Sequence, residues 1–154
     1  MSKLCHINPN IADDVREYIR ISVCYHLSAD HLYKGNNYCF LHLPKSKDTF
    51  NFSELVKRSV AENRNDFRYI VIPDASSFFH SSFLSEADFS FAEFLGKAEF
   101  RGKTFEHDLK FRETIFEGGV SFNQSRFNGS VDFTGAKFKK RADFIQSHFP
   151  NGVE

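Results

Sequence analysis

Large apolar residues recur through the second half of the chain at gaps that alternate between five and six. The series runs Phe67, Ile72, Phe78, Phe83, Phe89, Phe94, Phe100, Phe105, Phe111, Phe116, Phe122, Phe127, Phe133, Phe138, Phe144, Phe149. Neither a helix of period 3.6 nor a single strand of period 2 gives this spacing. A fixed short period instead predicts a stacked, quasi-one-dimensional architecture. Two residues before each large residue stands a small or apolar one: Ala87, Ala92, Ala98, Ala136 and Ala142, with Ser76, Ser81, Ser125, Ser147, Thr114, Val120 and Val131. In extended chain, positions i and i−2 face the same way, so each unit sends one large and one small side chain inward. The positions between them carry Asp88, Glu93, Glu99, Arg126, Asp132, Lys137 and Asp143, which belong in water.

Two units depart from the rule. Lys103 and Leu109 occupy small-residue positions, and local distortion is expected there. Gly96, Gly102, Gly118, Gly129 and Gly135 fall two residues after a Phe, where a corner with positive φ suits glycine.

The units Ala87-Asp88-Phe89-Ser90-Phe91, Ala98-Glu99-Phe100-Arg101-Gly102 and Ala142-Asp143-Phe144-Ile145-Gln146 resemble the pentapeptide-repeat family, whose unit reads Ala-(Asp/Asn)-(Leu/Phe)-x-x. The extra residue in every second unit is similar to the Phe-rich variant of that family. The resemblance covers about half the chain. It implies a mainly β fold, a right-handed quadrilateral β-helix with one unit per face and four faces per coil.

Composition adds little beyond the repeat. The chain has 154 residues, 20 of them Phe and none Trp, and the repeat explains that bias. Twenty basic and 20 acidic residues cancel, so nothing draws the whole molecule to nucleic acid or anionic membrane. No apolar run is long enough for a transmembrane helix, and Met1-Ser2-Lys3-Leu4 opens no signal-peptide core, so a cytoplasmic protein is expected. Three cysteines argue against a disulfide framework and toward free thiols or metal.

Ahead of the repeat, Ile11, Val15, Tyr18 and Ile19 have helical spacing, which predicts a short amphipathic helix over 11–21. Cys24, His26, Cys39 and His42 then form two close Cys-His pairs, C-x-H-x12-C-x2-H, with a turn at Lys34-Gly35-Asn36-Asn37 between them. Two thiolates and two imidazoles suit a tetrahedral zinc ion, and four protein ligands make its role structural rather than catalytic. Cys5, His6 and His31 are alternative ligands.

Pro44-Lys45-Ser46-Lys47-Asp48 reads as a polar linker, and Ser53 as the N-cap of a helix whose face is Leu55, Val56, Ser59 and Val60. That helix is placed to cover the first coil of the solenoid. The expected organisation is a zinc-bound cap over 1–48, linker and capping helix over 49–66, β-helix over 67–149 and a tail over 150–154. Beyond Phe149, Pro150 cannot donate to a further ladder. The last coil is otherwise open, which suggests a homodimer through that end.

No catalytic signature is present. His107-Asp108 are adjacent on extended chain and point apart, while Glu113 and Glu117 lie on separate faces. The basic cluster Lys137, Lys139, Lys140 and Arg141 surrounds Phe138 and Phe144, which are core positions by register rather than platforms for bases. Family resemblance also raises the DNA-mimic reading, a topoisomerase (gyrase)-binding resistance factor. Lys97, Arg101, Lys103, Lys110 and Arg112 break up the one-sign charge that mimicry needs. The expected function is therefore a non-catalytic protein–protein interaction or scaffold module with a protein partner. An accessory domain of a channel or effector assembly is the other alternative. Metal analysis of the purified protein is expected to find near one zinc per chain, lost in Cys39→Ser together with thermal stability. A metal-free wild type contradicts the cap assignment.

Overall fold

The computed structural model describes residues 31–33, 36–38, 49–73 and 85–154. The helix expected over 11–21, and the repeat residues Ser76, Phe78, Ser81 and Phe83, lie outside the described residues. Strands β1 (His31–Tyr33) and β2 (Asn36–Tyr38) form an antiparallel hairpin in the register His31↔Tyr38. The chain therefore reverses between Tyr33 and Asn36, and Asn36 and Asn37 belong to the return strand rather than to the turn.

Helix α1 spans Thr49–Ala61. It begins four residues before Ser53, so Ser53 is not its cap. Asp48, the residue before Thr49, is of the same capping class as Ser53, and serine is tolerated inside a helix, so the residue types alone did not separate the two starts. Val56 and Val60 are buried in the same cluster as Phe67, Ile70 and Ile72, which places the helix on the solenoid core.

From Val71 the chain makes short parallel strands in regular succession. They fall into four parallel sheets. One holds β3 (Val71–Ile72), β5 (Glu93–Phe94), β9 (Ile115–Phe116) and β13 (Lys137–Phe138). The second holds β4 (Ala87–Asp88), β8 (Leu109–Lys110) and β12 (Val131–Asp132). The third holds β6 (Ala98–Glu99), β10 (Val120–Ser121) and β14 (Ala142–Asp143). The fourth holds β7 (Thr104–Phe105) and β11 (Arg126–Phe127). Register partners such as Ala98, Val120 and Ala142 recur every 22 residues, the sum of two five-residue and two six-residue gaps. The protein is thus mainly β, a parallel solenoid of stacked short strands.

The inward Phe residues form four columns. Phe67, Phe89, Phe111 and Phe133 stack at 5.0, 5.4 and 5.1 Å. Phe94, Phe116 and Phe138 stack at 4.7 and 5.0 Å, and Phe100, Phe122 and Phe144 at 4.6 and 5.1 Å. Phe105, Phe127 and Phe149 stack at 5.0 and 4.6 Å. Rings of neighbouring columns meet tilted, as Phe111 meets Phe116 at 49°, or edge-on, as Phe100 meets Phe111 at 6.1 Å and 73°. Offset stacks and edge contacts are the two arrangements that ring quadrupoles favour, each worth about 0.5–1.5 kcal/mol beyond burial.

The two irregular units leave the ladder intact. Lys103 is half-buried, as a buried stem with its ammonium in water permits. Its carbonyl still accepts the Arg126 N–H at 2.8 Å, and β7 pairs with β11 in register. Leu109 is buried between register partners Ala87 and Val131. Asp132, expected in water, is buried beneath the Arg112 side chain that pairs with it.

Corners come in two kinds. At the start of each five-residue gap the Phe carbonyl accepts the N–H three residues on, as from Ala92 to Phe89 at 3.0 Å and from Ser125 to Phe122 at 3.0 Å. The third residue of these turns has positive φ, the type II arrangement: Tyr69, Phe91, Gly102, Glu113, Gln124, Gly135 and Gln146. Only two of the seven are glycine. Gly118 and Gly129 sit at the other corners and lie outside the positive-φ set. A Cβ there would overlap the backbone of Gly96 or of His107 and Asp108 in the preceding coil. Glycine is needed at these corners for close approach, not for φ. Inside the turns, the hydroxyls of Thr114, Ser125 and Ser147 donate to the carbonyls of Phe89 (2.8 Å), Phe100 (2.6 Å) and Phe122 (2.7 Å) one coil back. Gln146→Gly is expected to stabilise the protein by about 0.5–1 kcal/mol through relief of positive φ, whereas Gly118→Ala destabilises it by more than that. Chemical denaturation of the two variants checks the opposite signs.

Candidate functional site

Among the described residues, four of the five exposed large hydrophobic side chains lie on the last coil. Phe138 and Phe144 are column members, stacked on Phe116 and Phe122, yet they are 36% and 37% exposed. Their inward placement matches the register, but their burial does not. Phe133 touches Phe138 (5.9 Å) and Phe144 (5.9 Å), and Phe144 touches Phe138 (6.4 Å) and Phe149 (6.3 Å), so the four rings form one layer. Ile145 and Val153 lie exposed on the same coil. Strands β13 and β14 are each paired on one side only. The segment from Pro150 continues the coil: Val153 bridges to Val131, and the Phe133 N–H donates to the Glu154 carbonyl at 2.7 Å. Asn128 donates its N–H to Phe105 at 2.7 Å, and one coil on Pro150 has no N–H to repeat that bond.

The outer faces carry paired charge. Arg68 holds Asp66 through two nitrogens at 2.9 and 2.7 Å, Arg112 pairs with Asp132, and Lys110 with Glu86. Burial pushes the Asp132 carboxyl up, but the Thr134 N–H at 2.8 Å and the Arg112 guanidinium outweigh it and hold the pKa below the ordinary carboxylate value. In the basic cluster Arg141 is tied to Asp143 at 2.5 Å and Lys139 approaches Glu117 at 3.9 Å. These residues are thus partly neutralised in place. His107 and Asp108 are exposed on a turn, and the Asp108 carboxylate accepts the Ser130 N–H at 2.7 Å. Glu113 is exposed and Glu117 half-buried, on different faces.

Cys24, His26, Cys39 and His42 lie outside the described residues, as do Cys5 and His6; His31 opens β1. Among the described residues there is no cluster of three or more His, Cys, Asp or Glu side chains placed to hold a metal. No helix among them is long and apolar enough to cross a membrane. No family model, curated protein or solved structure matched the chain in sequence and structure comparisons.

One acidic group is held against its preference. Glu93 stands between Val71 and Ile115 in its sheet, and burial there, helped by the nearby Glu117 carboxylate, pushes its pKa up, with Lys139 opposing. A raised carboxyl binds its proton more tightly in the folded chain, so it destabilises the fold as pH rises from the ordinary value through the folded one. Glu93→Gln is expected to be more stable than wild type at pH 7. The gain should vanish below about pH 4, where the unfolded carboxyl is also protonated. Melting temperatures of both proteins across that range check it.

Proposed function

We propose that the chain is a right-handed, four-sided β-helix of the pentapeptide-repeat kind that serves as a non-catalytic protein–protein interaction or scaffold module. The open Phe layer of the last coil carries this reading. Rings that are fully buried one coil earlier, Phe116 and Phe122, are succeeded by half-bare ones in the same columns. Half-bare stacked rings beside unpaired strand edges favour a further layer. A second copy supplies one of the same composition and spacing, joined end to end about a twofold axis. The outer faces support the same reading, since charges are consumed in pairs within a coil (Arg68–Asp66, Arg141–Asp143) and across coils (Lys110–Glu86, Arg112–Asp132), which interrupts a one-sign track for nucleic acid among the described residues.

In this reading zinc bound by Cys24, His26, Cys39 and His42 staples the cap that precedes α1. The hairpin reversal between Tyr33 and Asn36 falls between the two Cys-His pairs, as loop closure around a single ion requires.

Light scattering at tens of micromolar tests the dimer. Wild type is expected at twice the chain mass and Phe144→Glu at the chain mass with its circular dichroism unchanged. A monomeric wild type contradicts the end-to-end pairing.

A further inference from the structure

One corner of the solenoid carries a side chain that neither the core nor the turn calls for. Between 85 and 154 every Phe but one belongs to an inward column; the exception is Phe91. It occupies the positive-φ position of its turn, at φ 61°, a conformation that costs a non-glycine residue about 1 kcal/mol or more. Gly135 holds the same position two coils on, so glycine is compatible with this corner. Phe91 is 47% exposed. Its ring stacks on Tyr69, one coil before, at 4.8 Å and 4°, and Tyr69 is itself at φ 59°. Phe91 is thus set on the outside of the rod, stacked on a half-buried Tyr69 that packs against the core, and both sit at strained positions.

The next residue in the column is Glu113, at φ 52°. Its side chain runs toward Gly135, where a Cβ would meet the carboxylate, and so leans away from the Phe91 ring. None of the ion pairs among the described residues involves Glu113. The neighbouring cations are engaged elsewhere: Arg68 with Asp66 and Asp88, Arg112 with Asp132. Around this corner the carboxylates of Asp66, Asp88, Glu113 and Asp132, with Glu86 beside them, outnumber the cations of Arg68, Arg112 and Lys110, so the local charge is negative.

We infer that the Phe91–Glu113 corner is a docking point for an arginine side chain of a protein partner. A guanidinium can lie flat on the Phe91 ring, whose other neighbour is Tyr69, and the exposed Glu113 side chain can turn back from Gly135 to accept its N–H groups. A lysine ammonium satisfies the charge but not the planar stacking. This rests on the interaction-module reading and gives the outer surface one chemically defined contact. It is independent of the terminal coil, so the dimer measurement and this one fail separately.

The test is a titration of isotope-labelled protein with N-acetyl-arginine methylamide, followed by amide shifts, beside a stability measurement. Saturable shifts confined to Tyr69, Phe91, Glu113 and their neighbours are expected. Apparent affinity should fall about threefold or more in Phe91→Gly and in Glu113→Gln, the worth of an exposed cation–π or charge contact. Phe91→Gly should melt at or above the wild-type temperature, because the strained φ is relieved. Shifts spread evenly over the acidic surface, or the same affinity in both variants, overturn the proposal. A marked fall in melting temperature for Phe91→Gly also overturns it, since the ring would then be a structural staple between coils.

Discussion

The fold depends on a match between two distances. Parallel strands in a sheet stand about 4.8 Å apart. Phe rings in the four columns stack at 4.6 to 5.4 Å. A ring attached to each strand at the same position therefore stacks at its favoured separation whenever the backbone ladder is formed. The ladder sets the rings in register and the rings hold the ladder, so neither could shift without the other. Strands of two residues are too short to be stable alone. They persist because each is one rung in a column that also buries a phenyl ring.

That match imposes demands at the corners. Closing a coil in 22 residues needs two kinds of bend. One kind puts the third turn residue at positive φ, and the other brings backbone against backbone so closely that Gly118 and Gly129 admit no Cβ. Buried hydroxyls answer a related need. The Phe carbonyls that close the turns keep a second lone pair inside the core, and Thr114, Ser125 and Ser147 donate to it from the next coil. An unsatisfied acceptor at such a site costs about 1–3 kcal/mol.

The columns were legible because they are encoded by one residue type at one spacing, and side chains two apart on extended chain must share a face. Buried Ala87, Ala92 and Ala98 obey the same rule. The glycines were harder to read. Position relative to Phe assigns them all to corners, yet φ and close approach are different reasons that look identical in sequence. Gln124 and Gln146 tolerate positive φ without being glycine, and only backbone geometry reveals it. The serines looked merely small, because their hydroxyl partners lie 25 residues back. Lys103 misled because a long stem can carry its charge out of the coil, and Leu109 because its volume alone does not tell that the coils pack it, fully buried, between Ala87 and Val131. The exposure of Phe138 and Phe144 depends on whether another coil stacks beyond them, which column membership does not encode. The corner at Phe91 was present within a repeat unit, but its oddity appears only when every other Phe is accounted for.

The central claim is that 22 residues make one closed coil whose four faces are not interchangeable. It is tested by comparing two deletions. Removing residues 101–122 takes out a full coil and joins Phe100 to the turn after Phe122, so all columns stay aligned. Removing residues 112–116 takes out one unit, places two six-residue faces in succession and moves every later positive-φ corner to the wrong face. Thermal unfolding should show the protein short by 22 residues to be cooperative and the more stable of the two. If the loss of five residues is tolerated better than the loss of 22, the coil is not the repeating unit and the column account is wrong.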